Sequence, residues 1–308
     1  MNHELKTAPG MAPHAAILLS AVLWGTLWIP LRELNESSVS GALATTLSFL
    51  LGLVVLLPFA LVKVRRILEG GWPLAASGIF LALSIAFYAE GMVRGEVARV
   101  LLLFYMTPVW STLLARLMLG QPITRRRVAT IVLGLAGMMV ILGGETGFPV
   151  PRSIADWMGL ASGVSWGFAM VYLQRTASLP AFDRIFAAFI FLAPVFYLVT
   201  LFPGSRDSLG MESALPADGA MLLVALAVIW FLPVIGLTVY GASRLDPGRV
   251  AIFLMLEIVI GLGSAAWLLD EPFGAREIIG AALIVAAMLA EALRQERSPQ
   301  ERSSVSRK

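Results

Sequence analysis

Ten runs of mostly apolar residues, separated by short polar segments, account for nearly the whole chain. Each run holds about 20 residues, the length that an α-helix needs to cross the hydrocarbon core of a bilayer. Charged residues make up only 14% of the 308, whereas a soluble domain, which must cover its surface, carries roughly 25%. The pattern predicts an all-α membrane protein with ten transmembrane helices. Their approximate limits are 15–33, 39–62, 72–93, 97–119, 127–144, 155–174, 184–203, 219–242, 249–269 and 275–293.

Lysine and arginine are distributed unevenly over the connecting segments. Ten crossings put both termini on one side, and 17 of the 23 basic residues fall on that side against 6 on the other. Because loops rich in Lys and Arg stay in the cytoplasm, we expect both termini there, as short tails at residues 1–14 and 294–308. This topology already accounts for the basic charge, so no nucleic-acid partner is expected.

The inventory of reactive side chains is small. The chain has no cysteine, and its two histidines, His3 and His14, precede the first apolar run. This excludes a cysteine nucleophile, a thiolate metal site and a histidine relay inside the membrane. The apolar runs also lack the clustered partners that a nucleophile and its base require. A membrane-embedded enzyme is therefore the weaker alternative, and we expect no enzymatic activity, cofactor or metal.

An internal repeat is visible when the chain is shifted by 150 residues, because residues 99–131 then align with 249–281 without gaps. A second match, at a shift of 142, aligns the first predicted helix with the sixth. The matched residues lie at helix ends and beside glycines rather than at generic apolar positions. The matched pairs are Arg99 with Arg249, Pro122 with Pro272, Arg126 with Arg276, and Trp24-Gly25 with Trp166-Gly167.

Each half of this repeat holds five predicted helices, residues 15–144 in the first and 155–293 in the second. Since five is odd, the halves must lie in opposite orientations in the membrane. Inverted repeats around a midplane site are a recurring plan of secondary transporters that work by alternating access. A receptor or an assembly subunit, which is a further alternative, needs no such repeat.

Several short motifs occur in a characteristic order along the ten predicted helices. They are Trp24-Gly25, Thr107-Pro108, Leu-Gly-Gln-Pro at 119–122, Trp166-Gly167, Gly-Ala-Ser-Arg-Leu-Asp-Pro-Gly-Arg-Val at 241–250 and Leu-Asp-Glu-Pro at 269–272. In these motifs the chain resembles the drug/metabolite transporter superfamily, and specifically its EamA-type members with two five-helix repeats. It departs from their pattern at Gln121, where an acidic residue is usual, and at Ile258, where a proline is usual. The second departure predicts that the ninth helix is straighter than the fourth.

Within that family the sequence most resembles the YddG-like exporters of aromatic and other amino acids. The resemblance implies a multi-pass protein of the bacterial inner membrane that moves neutral amino acids or related small metabolites outward. It implies a small-molecule substrate and the lipid bilayer as partners, and we expect a monomer. An exporter of drugs or purine-like metabolites in the same superfamily is the alternative. A nucleotide-sugar carrier would want basic residues facing its cavity, and the apolar helix centres argue against anionic substrates.

Glu257 lies in the middle of the ninth predicted helix. A charge at the bilayer centre is costly, so such a residue is a functional candidate by default. It is a candidate to bind a substrate amine or carry a proton, the alternative being a structural carboxyl group. Proton exchange and facilitated diffusion both stay open, and direct use of ATP is not expected because there is no nucleotide-binding loop.

Aromatic side chains deep in the helices complete the predicted site, because a cavity with aromatic walls suits an apolar side chain. Pro108 should loosen the fourth helix and expose polar backbone near Tyr105. Ordinary helix packing is the alternative for each of these residues, and it is the main reading of the glycine stripe Gly159, Gly163 and Gly167. The candidate substrate-binding residues are Trp24, Tyr88, Tyr105, Pro108, Trp166, Tyr240, Phe253 and Glu257.

Several charged residues lie where the third predicted helix ends and the fourth begins. Glu90, Arg94 and Arg99 are candidates for an outer gate. The alternative is a solvated loop with local ion pairs, each of which contributes only about 0–1 kcal/mol.

Overall fold

The computed structural model describes residues 11–36, 41–146, 150–199, 217–269 and 273–293, and within these ranges every regular element is a helix. Fifteen α-helices are present there, with one π-helical turn, Leu226–Phe231, between α11 and α12. They are α1 Met11–Gly25, α2 Trp28–Glu36, α3 Gly41–Val62, α4 Val64–Glu69, α5 Gly71–Arg94, α6 Val97–Phe104, α7 Thr107–Leu119, α8 Arg125–Thr146, α9 Ile154–Arg175, α10 Ala181–Val199, α11 Ala217–Ala225, α12 Leu232–Ala242, α13 Pro247–Leu254, α14 Leu256–Leu269 and α15 Ala275–Ala292.

Six stretches of the described chain are long and apolar enough to cross a membrane, which confirms the all-α membrane class. They are Met11–Leu34, Thr45–Val62, Gly71–Arg94, Val97–Leu119, Gly219–Ala242 and Pro247–Leu269. Helices also lie in the other four predicted ranges, as α8, α9, α10 and α15. The count of ten crossings stays a prediction. The tails at 1–10 and 294–308 and the 270–272 part of the Leu-Asp-Glu-Pro run lie outside the described residues.

Large apolar side chains cover much of the outer surface of the helix bundle. Val54, Phe59, Leu117 and Ile229 are all exposed, although each belongs to a long apolar helix. An exposed apolar belt of this kind is unfavourable in water and is what lipid tails require. Trp267, which is 82% exposed, lies two residues before the end of α14, where tryptophan commonly meets the lipid headgroups.

Two of the long helices are interrupted at equivalent positions of the sequence repeat. The fourth predicted helix breaks at Tyr105 and Met106, between α6 and α7, and Pro108 follows in the first turn of α7. The ninth breaks at Met255, which lies 150 residues after Tyr105, between α13 and α14. The break in the ninth helix is one residue rather than two, but it is present without the proline. That the ninth helix is straighter than the fourth stays a prediction.

Glycines set the distances between neighbouring helices. A Cβ atom added at Gly159 would lie 2.8 Å from the carbonyl oxygen of Val100, and one at Gly163 would lie 2.6 Å from that of Phe104. The glycine stripe of α9 is thus a packing surface, as predicted, with Gly159 and Gly163 against α6 and Gly167 against α7. Gly137 of α8 and Gly280 of α15 face each other, since a Cβ on either would lie 2.7 Å from the other's carbonyl oxygen.

Candidate substrate-binding cavity

A cavity of about 620 Å³ lies among the interrupted helices, within the size range of small-molecule sites. Its walls come from helices of both predicted halves. They are mainly apolar and include eight aromatic side chains and two carboxylates. The aromatic members are Trp24, Trp28, Tyr88, Phe104, Tyr105, Trp166, Phe196 and Phe231, and the carboxylates are Glu90 and Glu257. Five of the eight predicted substrate-binding residues are in this wall, namely Trp24, Tyr88, Tyr105, Trp166 and Glu257.

Phe104 is the centre of the aromatic wall. Its ring centroid lies 4.8 Å from that of Tyr88, 5.0 Å from that of Tyr105 and 6.3 Å from that of Trp166. The rings meet edge to face or tilted, the arrangements that aromatic quadrupoles favour. Phe104 is the last residue of α6, and the helix break directly after it lets Tyr105 point into the same cavity. The sequence analysis missed Phe104, because it looks like any other apolar residue of a membrane helix.

Glu257 places a carboxylate inside this mainly apolar cavity. It lies in the first turn of α14, directly after the break at Met255, and it accepts a hydrogen bond from the hydroxyl of Tyr105. The bond joins the two interruptions across the cavity. Thr107, which the repeat aligns with Glu257, also lines the cavity, but its hydroxyl donates to the carbonyl oxygen of Phe104. The two halves therefore present one carboxylate and one neutral group at matching positions.

Trp24 contributes a polar group without a partner. Its indole Nε1 is buried and makes no hydrogen bond, although buried polar groups nearly always do. The next residue, Gly25, allows close packing against α14, because a Cβ there would lie 3.0 Å from Cβ of Ile260. By contrast, the indole of Trp28 donates to the Ser264 hydroxyl at 3.0 Å. The N–H of Trp24 is therefore an unpartnered donor enclosed by protein atoms behind the cavity wall.

Three predicted substrate-binding residues, Phe253, Pro108 and Tyr240, lie outside the cavity wall. Ala251 and Leu254 line the cavity and share one face of α13, which directs Phe253 elsewhere. Phe253 is buried against the ring of His14, 5.8 Å between centroids. Pro108 is buried in the first turn of α7 and is not part of the wall. Tyr240 lies near the end of α12, where its ring lies 4.0 Å from the guanidinium carbon of Arg244.

The predicted gate residues belong to two ion pairs near the end of α5. Glu90 lines the cavity and binds Arg94, one helical turn later, at 2.6 Å. Arg99 binds the buried carboxylate of Asp156 at 2.9 Å and the carbonyl oxygen of Val150 at 2.8 Å. The first pair therefore lies at the cavity, whereas the second ties α6 to the start of α9.

An ionic cluster of Arg127, Asp246, Arg249 and Glu291 lies toward the other end of the bundle. Arg127 binds Asp246 at 2.5 Å and Glu291 at 2.9 Å, and Arg249 lies 3.7 Å from Glu291. The side chains of Arg127, Arg249 and Glu291 are 4%, 4% and 0% exposed, so the cluster fills this end. Eight residues separate Arg249 from Glu257, or about 12 Å along a helix. Sequence reasoning missed the cluster, because it treated both arginines as charges of the connecting segments.

Comparisons with known proteins agree with this architecture. The model of the EamA-like transporter family matches the chain twice, at residues 11–143 and 153–290. An uncharacterized transporter of Archaeoglobus fulgidus is 27% identical over 275 residues, 88% of this chain and 93% of that protein. A probable amino-acid metabolite efflux pump of Escherichia coli is 24% identical over 275 residues, 87% of this chain and 90% of its own. A crystal structure that is 22% identical in sequence shares the fold with a TM-score of 0.70, covering 91% of this chain and 97% of that chain.

Proposed function

The chain belongs to the EamA-like transporter family, and we propose that it exports neutral amino acids or related amine-bearing metabolites by alternating access. Membership of this family implies a multi-pass membrane protein with a small-molecule substrate. The observation that carries the proposal is the Glu257 carboxylate, bound to Tyr105, inside a cavity with aromatic walls.

The chemistry of the wall supports a substrate that combines an amino group with an apolar or aromatic side chain. Glu257 supplies an acceptor and a negative charge for an ammonium group. The rings around Phe104 offer faces and edges for stacking and for the adjacent positive charge. The Escherichia coli relative, described as a probable amino-acid metabolite efflux pump, favours the same class of substrate.

The proposed machinery is a pair of inverted five-helix repeats, residues 15–144 and 155–293. Equivalent glycine contacts support this arrangement. Gly25 packs against Ile260, and Gly167, its partner in the repeat, packs against Trp110, since a Cβ at Gly167 would lie 3.3 Å from the Trp110 carbonyl carbon. Ile260 and Trp110 are themselves 150 residues apart. Related surfaces of this kind give a rocking pair of halves two end states of similar energy.

The two ends of the bundle differ, because the cavity lies near one end and buried ion pairs lie at the other. This difference fits one of the two end states of alternating access. The cavity reaches Glu90, Met92 and Val93, near the end of α5, whereas the ionic cluster fills the region near the start of α13. The distribution of Lys and Arg supports placing the cluster on the cytoplasmic side of a bacterial inner membrane, with both termini. We therefore assign the structure to a state with access from outside, in which the ionic cluster is the inner closure.

Counterflow in proteoliposomes tests the proposal. Purified protein is offered neutral amino acids, purines and hydrophobic cations, and we expect exchange of the amine-bearing compounds. Glu257→Gln should abolish that exchange. Glu69→Gln, which changes an exposed carboxylate of α4, is the matched control and should leave it intact. Absence of transport for every class would refute the proposed function.

A further inference from the structure

We propose that the cavity prefers organic cations without a carboxylate, such as amides or decarboxylated forms of aromatic amino acids, over the zwitterionic amino acids themselves. The inference rests on the proposed transport function and narrows its substrate class. It comes from the charge and the hydrogen-bond donors of the cavity wall.

The charge of the wall is acidic. Among the described residues that line the cavity, Glu90 and Glu257 carry ionisable carboxylates, and no lysine, arginine or histidine is present. Glu90 is bound to Arg94 at 2.6 Å, which leaves Glu257 as the carboxylate that faces a substrate. A monocation brings this site to neutrality. A zwitterion brings its own carboxylate as well, and a buried charge without a counter-charge is costly.

Three of the hydroxyl donors of the wall are already engaged. Tyr105 donates to Glu257, Thr107 donates to the Phe104 carbonyl, and Ser84 shares its hydroxyl with Ser162 at 3.3 Å. Further donors of the wall, such as the Tyr88 hydroxyl and the Trp166 indole, are neutral. The wall therefore lacks the cationic donors that bind a carboxylate most strongly.

The helix break at the cavity is no better as an anion site. A helix N-terminus attracts anions through its free N–H groups. Here the N–H groups of Tyr105, Met106, Val109 and Trp110 all bond to backbone carbonyls one turn earlier. Pro108, inside the first turn of α7, has no N–H at all. The break therefore leaves few N–H groups for a substrate carboxylate.

The aromatic part of the wall suits a cation. The rings around Phe104 attract a positive charge through their faces, as aromatic cages do for quaternary ammonium groups. An aromatic amine or amide therefore pairs its ammonium group with Glu257 and its ring with these side chains.

A matched pair of permanently charged compounds isolates the effect of the carboxylate. Trimethyltryptammonium and the trimethyl betaine of tryptophan share the indole ring and the quaternary ammonium, and differ in the carboxylate. Neither loses its charge by deprotonation of the ammonium, so passive leakage is low. In counterflow with wild-type protein we expect the cation to be preferred at least about tenfold, the factor that an unpaired charge costing 1.4 kcal/mol or more would give.

Tryptophanamide, tryptamine and tryptophan form a second series at a pH where all three amines are charged. The wild-type protein should transport tryptamine and tryptophanamide in preference to tryptophan. Glu69→Gln should keep the wild-type order of preference.

Equal transport of the betaine and the cation, or a preference for the betaine, would overturn the inference and leave amino-acid export standing. Failure to transport any amine, amino acid or purine would instead refute the proposed function itself. The comparison of the betaine and the cation uses the unaltered protein, so it does not depend on the folding of a variant.

Discussion

Replacing Glu291 by glutamine is predicted to open the end of the bundle that the ionic cluster fills. Glu291 is fully buried and accepts from Arg127 at 2.9 Å and from Thr130 at 3.2 Å, with Arg249 at 3.7 Å. Glutamine keeps the shape of the side chain but removes its charge. The two buried arginines are then left with Asp246 as the remaining carboxylate of the cluster.

The expected change in free energy between the closed and open states follows from the burial of these groups. Removing one partner of a buried ion pair costs about 3–5 kcal/mol. Because glutamine can still accept a hydrogen bond, we expect the lower value, about 3 kcal/mol, which is roughly a hundredfold in an equilibrium constant. If the cluster forms only while the inner end is closed, this penalty falls on that state alone. The population should therefore shift toward the state with access from the cluster side.

Thiol labelling measures that shift, because the chain has no cysteine of its own. Ser243 is 2% exposed at the end of α12 on the cluster side, and Thr45 lines the cavity. In the Glu291→Gln background, Ser243→Cys should gain reactivity toward a water-soluble maleimide, whereas Thr45→Cys should lose it. Glu69→Gln removes an exposed ion pair and is the control, expected to change the equilibrium by at most about 1 kcal/mol.

Thermal unfolding of each variant separates opening from general loss of structure. A Glu291→Gln protein that unfolds at the wild-type temperature and labels like the wild type at both positions would refute the closure role of the cluster. Increased labelling at both positions together with a lower unfolding temperature would also contradict it, since that result indicates a loosened fold rather than a change of access.

Three further outcomes are expected. Glu257→Gln should abolish export driven by a pH gradient in proteoliposomes, whether Glu257 binds the substrate amine or carries a proton, and an unchanged dependence on the gradient would contradict both roles. Gly163→Ala should destabilise the fold by about 1–3 kcal/mol through overpacking against Phe104, while Gly236→Ala, whose added Cβ meets nothing closer than 3.6 Å, should not; thermal unfolding compares the two. Phe104→Ala should raise the KM of an aromatic substrate about two- to tenfold, because a contact between its ring and the ring of the substrate contributes about 0.5–1.5 kcal/mol, whereas Phe59→Ala on the exposed surface should leave KM unchanged.

The helices themselves were accessible from sequence because the bilayer imposes a length and an apolar composition on each crossing. The break in the fourth helix was also accessible, since Pro108 cannot complete a helix interior. The break at Met255 has no such local signal. Only its alignment with Tyr105 in the repeat indicates it, and the repeat was used to predict topology rather than backbone geometry.

Sequence reasoning could find the site residues that stand out by their position deep in a helix. It could not find those whose role depends on pairing with a distant residue across the bundle. A carboxylate in the middle of an apolar helix stands out, so Glu257 was found, and deep aromatic residues such as Trp24 and Tyr105 were found with it. Arg127 and Arg249 looked like ordinary charges of connecting segments. Their partner Glu291 lies near the end of the last described helix, 164 residues away from Arg127, and no periodicity in the sequence relates the two.

In the proposed alternating-access mechanism, the bond between Tyr105 and Glu257 connects substrate binding to the movement of the halves. The two residues belong to opposite repeats, and each follows a helix break that the repeat places at matching positions. An ammonium group that binds Glu257 competes with the hydroxyl of Tyr105 for the same carboxylate. A substrate can therefore weaken a contact between the halves at the point where both backbones are already interrupted. The neutral Thr107 at the matching position cannot do this, so in the proposed mechanism one half alone carries the carboxylate that responds to a substrate.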